Sequence, residues 1–170
     1  MTDRDTYSIE IAGIKRELRL FEIKPGLRIA ILNILGDTEL VQACARGLAE
    51  KVKSVDYDII MTAEAKSIPI AHALSVETKK PYVVLRKTYK PYMGDALQAE
   101  TLSITTGQPQ VLILDEKDRE LIQGKKVLVV DDDERLRTLL KRVLLQARFR
   151  VSTACDVREA RAALATFQMD

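Results

Sequence analysis

Residues 57–85 read YDIIMTAEAKSIPIAHALSVETKKPYVVL, and this stretch decides the fold. Its two ends, 57–61 and 81–85, are short apolar runs of the kind that form buried strands. Between them the pattern predicts a loop at 62–67 and a helix over Ile68–Thr78, whose first turn tolerates Pro69. A strand, a helix and a second strand in this order indicate two parallel strands joined by a right-handed crossover.

The residues before this unit predict a hairpin and a helix. Segments 6–11 and 14–23 alternate between apolar and polar residues around Ala12-Gly13, which is typical of a β-hairpin. Segment 27–35 is a further extended apolar run. A helix is expected over 38–52, with Asp37 or Thr38 able to cap its first turn.

The residues after the unit continue the α/β pattern. Segments 98–105 and 110–115 alternate around a turn at 106–109, which predicts an antiparallel flap. Further strands are expected at 126–130 and 149–154, and helices over 134–147 and 156–167. We therefore predict one α/β domain over residues 1–170, with three layers, a mainly parallel Rossmann-like sheet, an N-terminal β-hairpin and an antiparallel flap.

Composition excludes several classes of protein. The 170 residues are 46% hydrophobic and 31% charged with a formal net charge of +2, which indicates an ordinary globular protein and argues against a nucleic-acid partner. No apolar run approaches the roughly 20 residues of a membrane span, and no signal segment opens the chain. We expect a cytoplasmic protein that contacts no membrane.

Two loops at the ends of predicted strands carry cations. The first contains Ala65, Lys66 and Ser67 just before a helix, where an ammonium and backbone N–H groups suit a phosphate or pyrophosphate. A plain turn with a solvated lysine is an equally good interpretation. The second loop, 86–94, interleaves three cations with two tyrosines. These residues are Arg86, Lys87, Tyr89, Lys90 and Tyr92. The cations could bind a polyanion and a tyrosine could stack on a base. Alternatively, the segment is a solvated surface loop without a ligand.

A third loop begins with three carboxylates after the most apolar predicted strand. Asp131 and Asp132 suit hydrogen bonds from sugar hydroxyls or the binding of a hard cation such as Mg²⁺. Asp133 is better explained as the cap of the following helix.

Several of these motifs together resemble the type I phosphoribosyltransferases of adenine or purine salvage. The resemblance covers about residues 21–132 and rests on these segments in order: KPG (24–26), ILGDTEL (34–40), TAEAKSIP (62–69), RKTYKPY (86–92), SITTG (103–107) and VLVVDD (127–132). It implies transfer of ribose 5-phosphate from phosphoribosyl pyrophosphate to a purine base, with Mg²⁺ and release of pyrophosphate.

The resemblance also implies roles for individual residues. Ala65, Lys66 and Ser67 would hold the pyrophosphate, and Arg86, Lys87 and Lys90 would neutralise it from the second loop. Asp131 and Asp132 would act as the catalytic pair that holds the ribose hydroxyls, with Mg²⁺ at the same carboxylates. A polyanionic leaving group and a cation-like transition state need opposite charges around them, and this division supplies both.

The sequence departs from the family directly after the acidic pair. A turn rich in Ser, Thr and Gly is expected to wrap the 5-phosphate there, but residues 133–138 read DERLRT and contain no glycine. Two carboxylates stand where a phosphate dianion would bind, so we expect transferase activity to be weak or absent.

Residues from about 126 to 167 resemble the first half of a response-regulator receiver domain. That resemblance rests on VLVVDDDER (127–135), RVSTA (150–154) and DVREA (156–160). The chain ends before the strands that carry a receiver's phosphate-accepting Asp and its Lys, so a complete receiver is not expected. The chain then divides into a phosphoribosyltransferase-like body, 1–125, and a receiver-like β-α-β-α segment, 126–170.

Three functional hypotheses follow. The first is a purine phosphoribosyltransferase with a defective phosphate turn, and whether it is an active enzyme stays open. The second is a non-catalytic protein, an engineered or recombined chimera or a regulator that keeps the fold. The third and least favoured is a phosphorelay module. Residues 89–93 could also serve a subunit contact in a homodimer.

Overall fold

The computed structural model describes residues 5–102, 109–129 and 144. Eight strands lie within these ranges, namely β1 (Thr6–Ile11), β2 (Ile14–Lys24), β3 (Leu27–Ala30), β4 (Ile59–Ala63), β5 (Tyr82–Leu85), β6 (Leu97–Leu102), β7 (Pro109–Leu114) and β8 (Val127–Leu128). Three α-helices lie there too, α1 (Thr38–Val52), α2 (Ile68–Thr78) and α3 (Glu116–Ile122), with one 3₁₀ turn at Pro91–Met93.

The central sheet is parallel, as the 57–85 pattern predicts. Its strand order is β5-β4-β8, with Ile60 beside Tyr82 and Ile59 beside Val127. Strand β4 starts two residues later than the predicted 57–61. Tyr57 is buried but lies outside the strand. The Asp58 N–H, also outside the strand, donates to the Lys126 carbonyl at 2.9 Å.

Apolar side chains cover both faces of β4, as expected for a buried parallel strand. Ile59 and Met61 pack in a cluster with β5, β7 and α3, whereas Ile60 packs with Tyr57 and Ala71 on the other face. The α/β class is therefore confirmed, and the described strands form a parallel sheet and two antiparallel ones. A single three-layer layout stays a prediction.

Both predicted helices of the N-terminal half are present with the predicted bounds. Asp37 caps α1 by accepting a hydrogen bond from the Leu40 N–H at 3.1 Å. The buried face of α1 includes Ala43 and Ala45, whereas Leu48 is 37% exposed. Small residues line this face because α1 packs closely against α2.

The predicted hairpin is also present and gains a third strand. β1 pairs with β2 in antiparallel register through Ala12-Gly13, and β2 pairs with β3. The predicted extended run 27–35 ends at Ala30. A turn replaces its last part, because the Asn33 side chain accepts the Leu35 N–H and the Ile34 carbonyl accepts the Asp37 N–H.

One arginine fastens the hairpin to helix α1. The Arg16 guanidinium donates two hydrogen bonds to Asp37, at 2.7 and 2.8 Å, and a third to Glu39 at 2.8 Å. Together with the Leu40 N–H, Arg16 lowers the pKa of Asp37 to about 2, with Arg16 the larger cause. The helix cap is therefore also the anchor of the N-terminal sheet.

The base of the predicted flap is confirmed. β6 and β7 are antiparallel from Leu97–Leu114 to Leu102–Pro109, and the flap tip, 103–108, lies outside the described residues. The sequence patterns did not predict α3, which spans only seven residues and is capped by Asp115.

The end of the chain is described only in part. β8 lies within the predicted strand 126–130 and Leu144 is buried in the central core, whereas the predicted elements at 134–147, 149–154 and 156–167 otherwise lie outside the described residues. The division at residue 126 stays a prediction. Among the described residues, no helix is long and apolar enough to cross a membrane.

Candidate functional site

The loop after β4 is short and bonded to itself. The Thr62 hydroxyl donates to the Ser67 hydroxyl at 2.7 Å, which in turn donates to the Ala63 carbonyl at 2.8 Å. Because Ser67 bonds backwards, no side chain caps the start of α2. Ala65, Lys66 and Ser67 are all exposed, and the Glu64–Ala65 peptide is cis. The loop thus presents Lys66 beside an uncapped helix start, the arrangement that suits an anion.

The second predicted loop begins at Arg86, directly after β5. The Arg86 backbone forms two hydrogen bonds with Ile113 of β7, at 2.9 and 2.8 Å, which ties the strand end to the flap. Its guanidinium donates to Glu64 at 3.1 Å and also to Tyr92. These partners, Tyr92 first, raise the pKa of Arg86. Arg86 is therefore engaged within the protein, unlike the exposed Lys66.

Glu64 joins the two loops, and the sequence reasoning did not single it out. One of its oxygens accepts from the Arg86 guanidinium, and the other accepts the Lys87 N–H at 2.9 Å. The pKa of Glu64 is lowered, first by the hydrogen bond from the Lys87 N–H and then by the positive charge of Arg86. An acidic residue at a strand end, inside a loop otherwise suited to anions, was the available signal.

The remaining cations of the second loop face solvent. Lys87 and Lys90 are exposed and have no ion pair among the described residues. Tyr92 is 71% exposed, and its hydroxyl bonds to Arg86. The Tyr89 hydroxyl donates to the Gly94 carbonyl at 3.1 Å. Both hydroxyls are thus engaged while the side chains stay accessible, and stacking on a base stays a prediction.

The acidic pair Asp131 and Asp132 lies outside the described residues. β8 precedes it in sequence and runs parallel to β4, so the carboxyl end of β8 points towards the edge that carries Glu64 and Lys66. Within the described ranges, no group of three or more His, Cys, Asp or Glu could hold a metal ion. The predicted Mg²⁺ site at Asp131 and Asp132 stays a prediction.

Relatives of known function fall into two kinds. The chain is 30% identical over 125 residues to the purine biosynthesis transcriptional activator PurR of Lactococcus lactis, covering 74% of this chain and 45% of the relative. It is 33% identical over 104 residues to the xanthine phosphoribosyltransferase of an Exiguobacterium species, covering 61% and 53%. The chain thus spans about half the length of each relative. No family model matches it.

Solved structures agree with the sequence relatives. The adenine phosphoribosyltransferase of Thermoanaerobacter pseudethanolicus superposes with a TM-score of 0.59 at 18% identity, covering 85% of this chain and 89% of that one. An identity this low speaks for the fold alone. The chain therefore has the α/β fold of the type I phosphoribosyltransferases, and its sequence relatives indicate a protein of the phosphoribosyltransferase type.

Proposed function

We propose that this protein binds phosphoribosyl pyrophosphate at the carboxyl edge of its parallel sheet, as a purine phosphoribosyltransferase whose activity is weak or absent. The observation that carries the proposal is the contact of Glu64 with Arg86 and Lys87. This contact holds the loop bearing Lys66 against the loop bearing Lys87 and Lys90. Cations from two loops then flank one region, as a polyanion requires.

The cations divide between binding and support. Lys66, Lys87 and Lys90 neutralise the pyrophosphate, and Ala65 and Ser67 offer backbone N–H groups beside Lys66. Arg86 shares its charge with Glu64, so it contributes less than an unpaired cation would and mainly shapes the site. Asp131 and Asp132 hold the ribose hydroxyls and favour positive charge at the anomeric carbon. Mg²⁺ at these carboxylates would supply further charge neutralisation for the pyrophosphate.

Weak activity follows from the residues after the acidic pair. Asp133 and Glu134 stand where a glycine-rich turn would wrap the 5-phosphate. A pair of like charges at about 4 Å costs about 1 kcal/mol in water and about 4 kcal/mol near a partly shielded surface. Arg135 and Arg137 offset this repulsion only if they turn back towards the phosphate.

A second candidate function is ligand binding without catalysis. The similarity to a purine biosynthesis transcriptional activator favours it, because the fold then occurs in proteins named as regulators as well as in enzymes. A chimera of phosphoribosyltransferase and receiver fragments is a further alternative for residues 126–170. The phosphorelay module is the least favoured, because residues 126–167 resemble only the first half of a receiver, without its phosphate-accepting Asp. Its test is incubation with acetyl phosphate and Mg²⁺, and an unchanged mass of the chain would exclude it.

Calorimetry with phosphoribosyl pyrophosphate and Mg²⁺ tests the proposal. We expect binding that weakens about tenfold in Lys66→Ala and in Lys87→Ala, since each removes one charge contact. Lys15→Ala, an exposed lysine of the N-terminal sheet, is the matched control and should leave the affinity unchanged. No binding heat in the wild-type protein, or equal effects of all three variants, would refute the proposal.

Measurement of pyrophosphate release separates the two candidate functions. Adenine, hypoxanthine and xanthine are the bases to assay, because several relatives and structural neighbours are named as phosphoribosyltransferases of xanthine, hypoxanthine/guanine or adenine. Binding without release supports the non-catalytic candidate. Replacing residues 133–138 by a glycine-rich turn should then strengthen binding if that segment alone is at fault.

Cytoplasmic location, homodimer formation and the absence of membrane and nucleic-acid partners belong to the same proposal.

A further inference from the structure

The second loop, taken here as all residues between β5 and β6 (86–96), is held at its far end as well as at Arg86. The Asp95 N–H donates to the Glu116 carboxylate at 2.9 Å. Arg119, one helical turn further along α3, donates to the Asp95 carboxylate at 3.1 Å and to the Asp95 carbonyl. Two side chains of α3, Glu116 and Arg119, therefore hold Asp95, which lies near the end of the loop.

Gly94 leaves the space that the Glu116 side chain occupies beside the loop. Its φ of +59° lies in the left-handed region, and a Cβ at this position would overlap the carboxylate of Glu116. The backbone can approach Glu116 so closely only because residue 94 has no side chain.

Further contacts connect this end to the middle of the loop. The Tyr89 hydroxyl donates to the Gly94 carbonyl, and the Met93 N–H donates to the Lys90 carbonyl at 2.9 Å. The Met93 side chain is fully buried. Movement of Asp95 away from α3 would thus be passed on to Tyr89 and Lys90.

Arg119 carries a cost that a purely incidental surface contact would not. Its Nε is buried and finds no hydrogen-bond partner among the described residues, while its two terminal nitrogens both donate to Asp95. An unpaired buried donor costs free energy, and the two hydrogen bonds to Asp95 offset this cost.

We propose that Glu116 and Arg119 are positioning residues, which hold loop 86–96 so that Lys87 and Lys90 are presented to a phosphate-bearing ligand. This inference rests on the proposed function for the identity of the ligand. The grip on the loop itself rests only on the contacts above.

Hydrogen exchange followed by mass spectrometry tests the grip without any ligand. Glu116→Ala removes the acceptor of the Asp95 N–H, so exchange of the peptide covering 88–96 should rise about tenfold or more. Glu116→Gln keeps an acceptor oxygen and should restore much of the protection. Glu120→Ala, an exposed carboxylate on the same helix with no partner in the described part of the chain, is the matched control. Equal exchange in the Glu116→Ala and Glu120→Ala proteins would overturn the proposal.

Arg119→Lys tests the second side chain. The guanidinium reaches the Asp95 carboxylate and carbonyl from two separate nitrogens, whereas a lysine has one ammonium nitrogen on a flexible stem and holds both oxygens less well. Exchange in 88–96 should therefore rise by a smaller factor than in Glu116→Ala. Exchange unchanged from wild type would remove Arg119 from the proposal.

Calorimetry with Mg-pyrophosphate tests the positioning role. Glu116→Ala should weaken the affinity by about three- to tenfold, and this loss should vanish in a Lys87→Ala/Lys90→Ala background, since the grip acts through those lysines. An equal loss in both backgrounds indicates a general structural effect and overturns the positioning role. If the wild-type protein binds no pyrophosphate, the proposed function and the positioning role fail together, while the exchange experiment still decides whether α3 holds the loop.

Discussion

Two loops leave neighbouring strands of the same sheet edge, and they are held in different ways. Residues 64–67 follow β4, and their hydroxyl bonds run only among Thr62, Ala63 and Ser67. Residues 86–96 follow β5 and are held by distant partners, namely Glu64, Ile113, Glu116 and Arg119. Apart from Glu64, which bonds to Arg86 and Lys87, the first loop is held by local hydrogen bonds. The second loop depends on the fold around it.

The difference teaches which loop can change without cost to the fold. Lys66 is exposed and has no hydrogen bond or ion pair among the described residues, so its removal should affect ligands more than stability. The second loop contributes the fully buried Met93 and therefore belongs to the core as well as to the site. Substitutions in the two loops should separate these properties.

The largest effect is expected for Met93→Ala. Truncation of a fully buried methionine leaves a cavity, so the free energy of unfolding should fall by about 2–5 kcal/mol in urea denaturation. Met93→Leu keeps most of the volume and should cost less than about 1.5 kcal/mol. Lys66→Ala in the first loop should stay within about 0.5 kcal/mol of wild type. A loss below 1 kcal/mol for Met93→Ala would mean that the second loop is not part of the core.

Gly94→Ala should have the next largest effect. It places a side chain in the left-handed region and displaces the Glu116 carboxylate from the Asp95 N–H, for a total loss of about 2 kcal/mol. The matched control is Gly26→Ala, whose φ is +77° but whose Cβ would meet no atom within 4 Å. It should cost about 1 kcal/mol from the backbone alone. Equal losses on chemical denaturation would show that the contact with Glu116 contributes nothing.

Glu64→Gln tests the bridge between the two loops through pH. Glu64 has a pKa below its ordinary value of 4.5 in the folded protein, so its contribution is present above that value and is lost as pH falls through the lowered one. At pH 7 the substitution should cost about 1 kcal/mol, because the bonded groups are partly exposed. The difference between wild type and variant in free energy of unfolding should then shrink from pH 6 to pH 3.

Glu77→Gln is the control for this titration. Glu77 is an exposed carboxylate of α2 with no hydrogen bond or ion pair in the described part of the chain. At pH 7 its free energy of unfolding should stay within about 0.5 kcal/mol of wild type, because the substitution removes no bonded group. A wild-type advantage over Glu64→Gln that persists undiminished at pH 3 would contradict a charged bridge.

The same contrast explains how much the sequence could predict. Helices α1 and α2 have the predicted bounds, because Asp37, Pro69 and the apolar spacing act over a few residues. The exposed position of Lys66 before α2 could be predicted for the same reason, since a cation before a helix is a local pattern, whereas its role in binding stays a prediction. The roles of Glu64, Glu116 and Arg119 depend on contacts 21 to 24 residues away in sequence, and no local pattern encodes them. The strand boundary at Ile59 was missed because the Lys126 N–H bonds to the Asp58 carboxylate, a side-chain contact between residues 68 apart in sequence.

Ser67→Ala should have the smallest effect on stability and tests whether the Ser67 end of the first loop is held by local bonds alone. The substitution removes the hydroxyl between Thr62 and the Ala63 carbonyl, but all of these groups can bond to water instead, so the loss should be about 0.5 kcal/mol. Exchange in 88–96 should not change, since no Ser67 contact reaches the second loop among the described residues. The affinity for Mg-pyrophosphate should fall about threefold or less, because Lys66 keeps its charge while its loop loses one restraint. A rise in exchange in 88–96 would show instead that the two loops move as one unit, in which case the Glu64 bridge makes even the short loop a long-range structure.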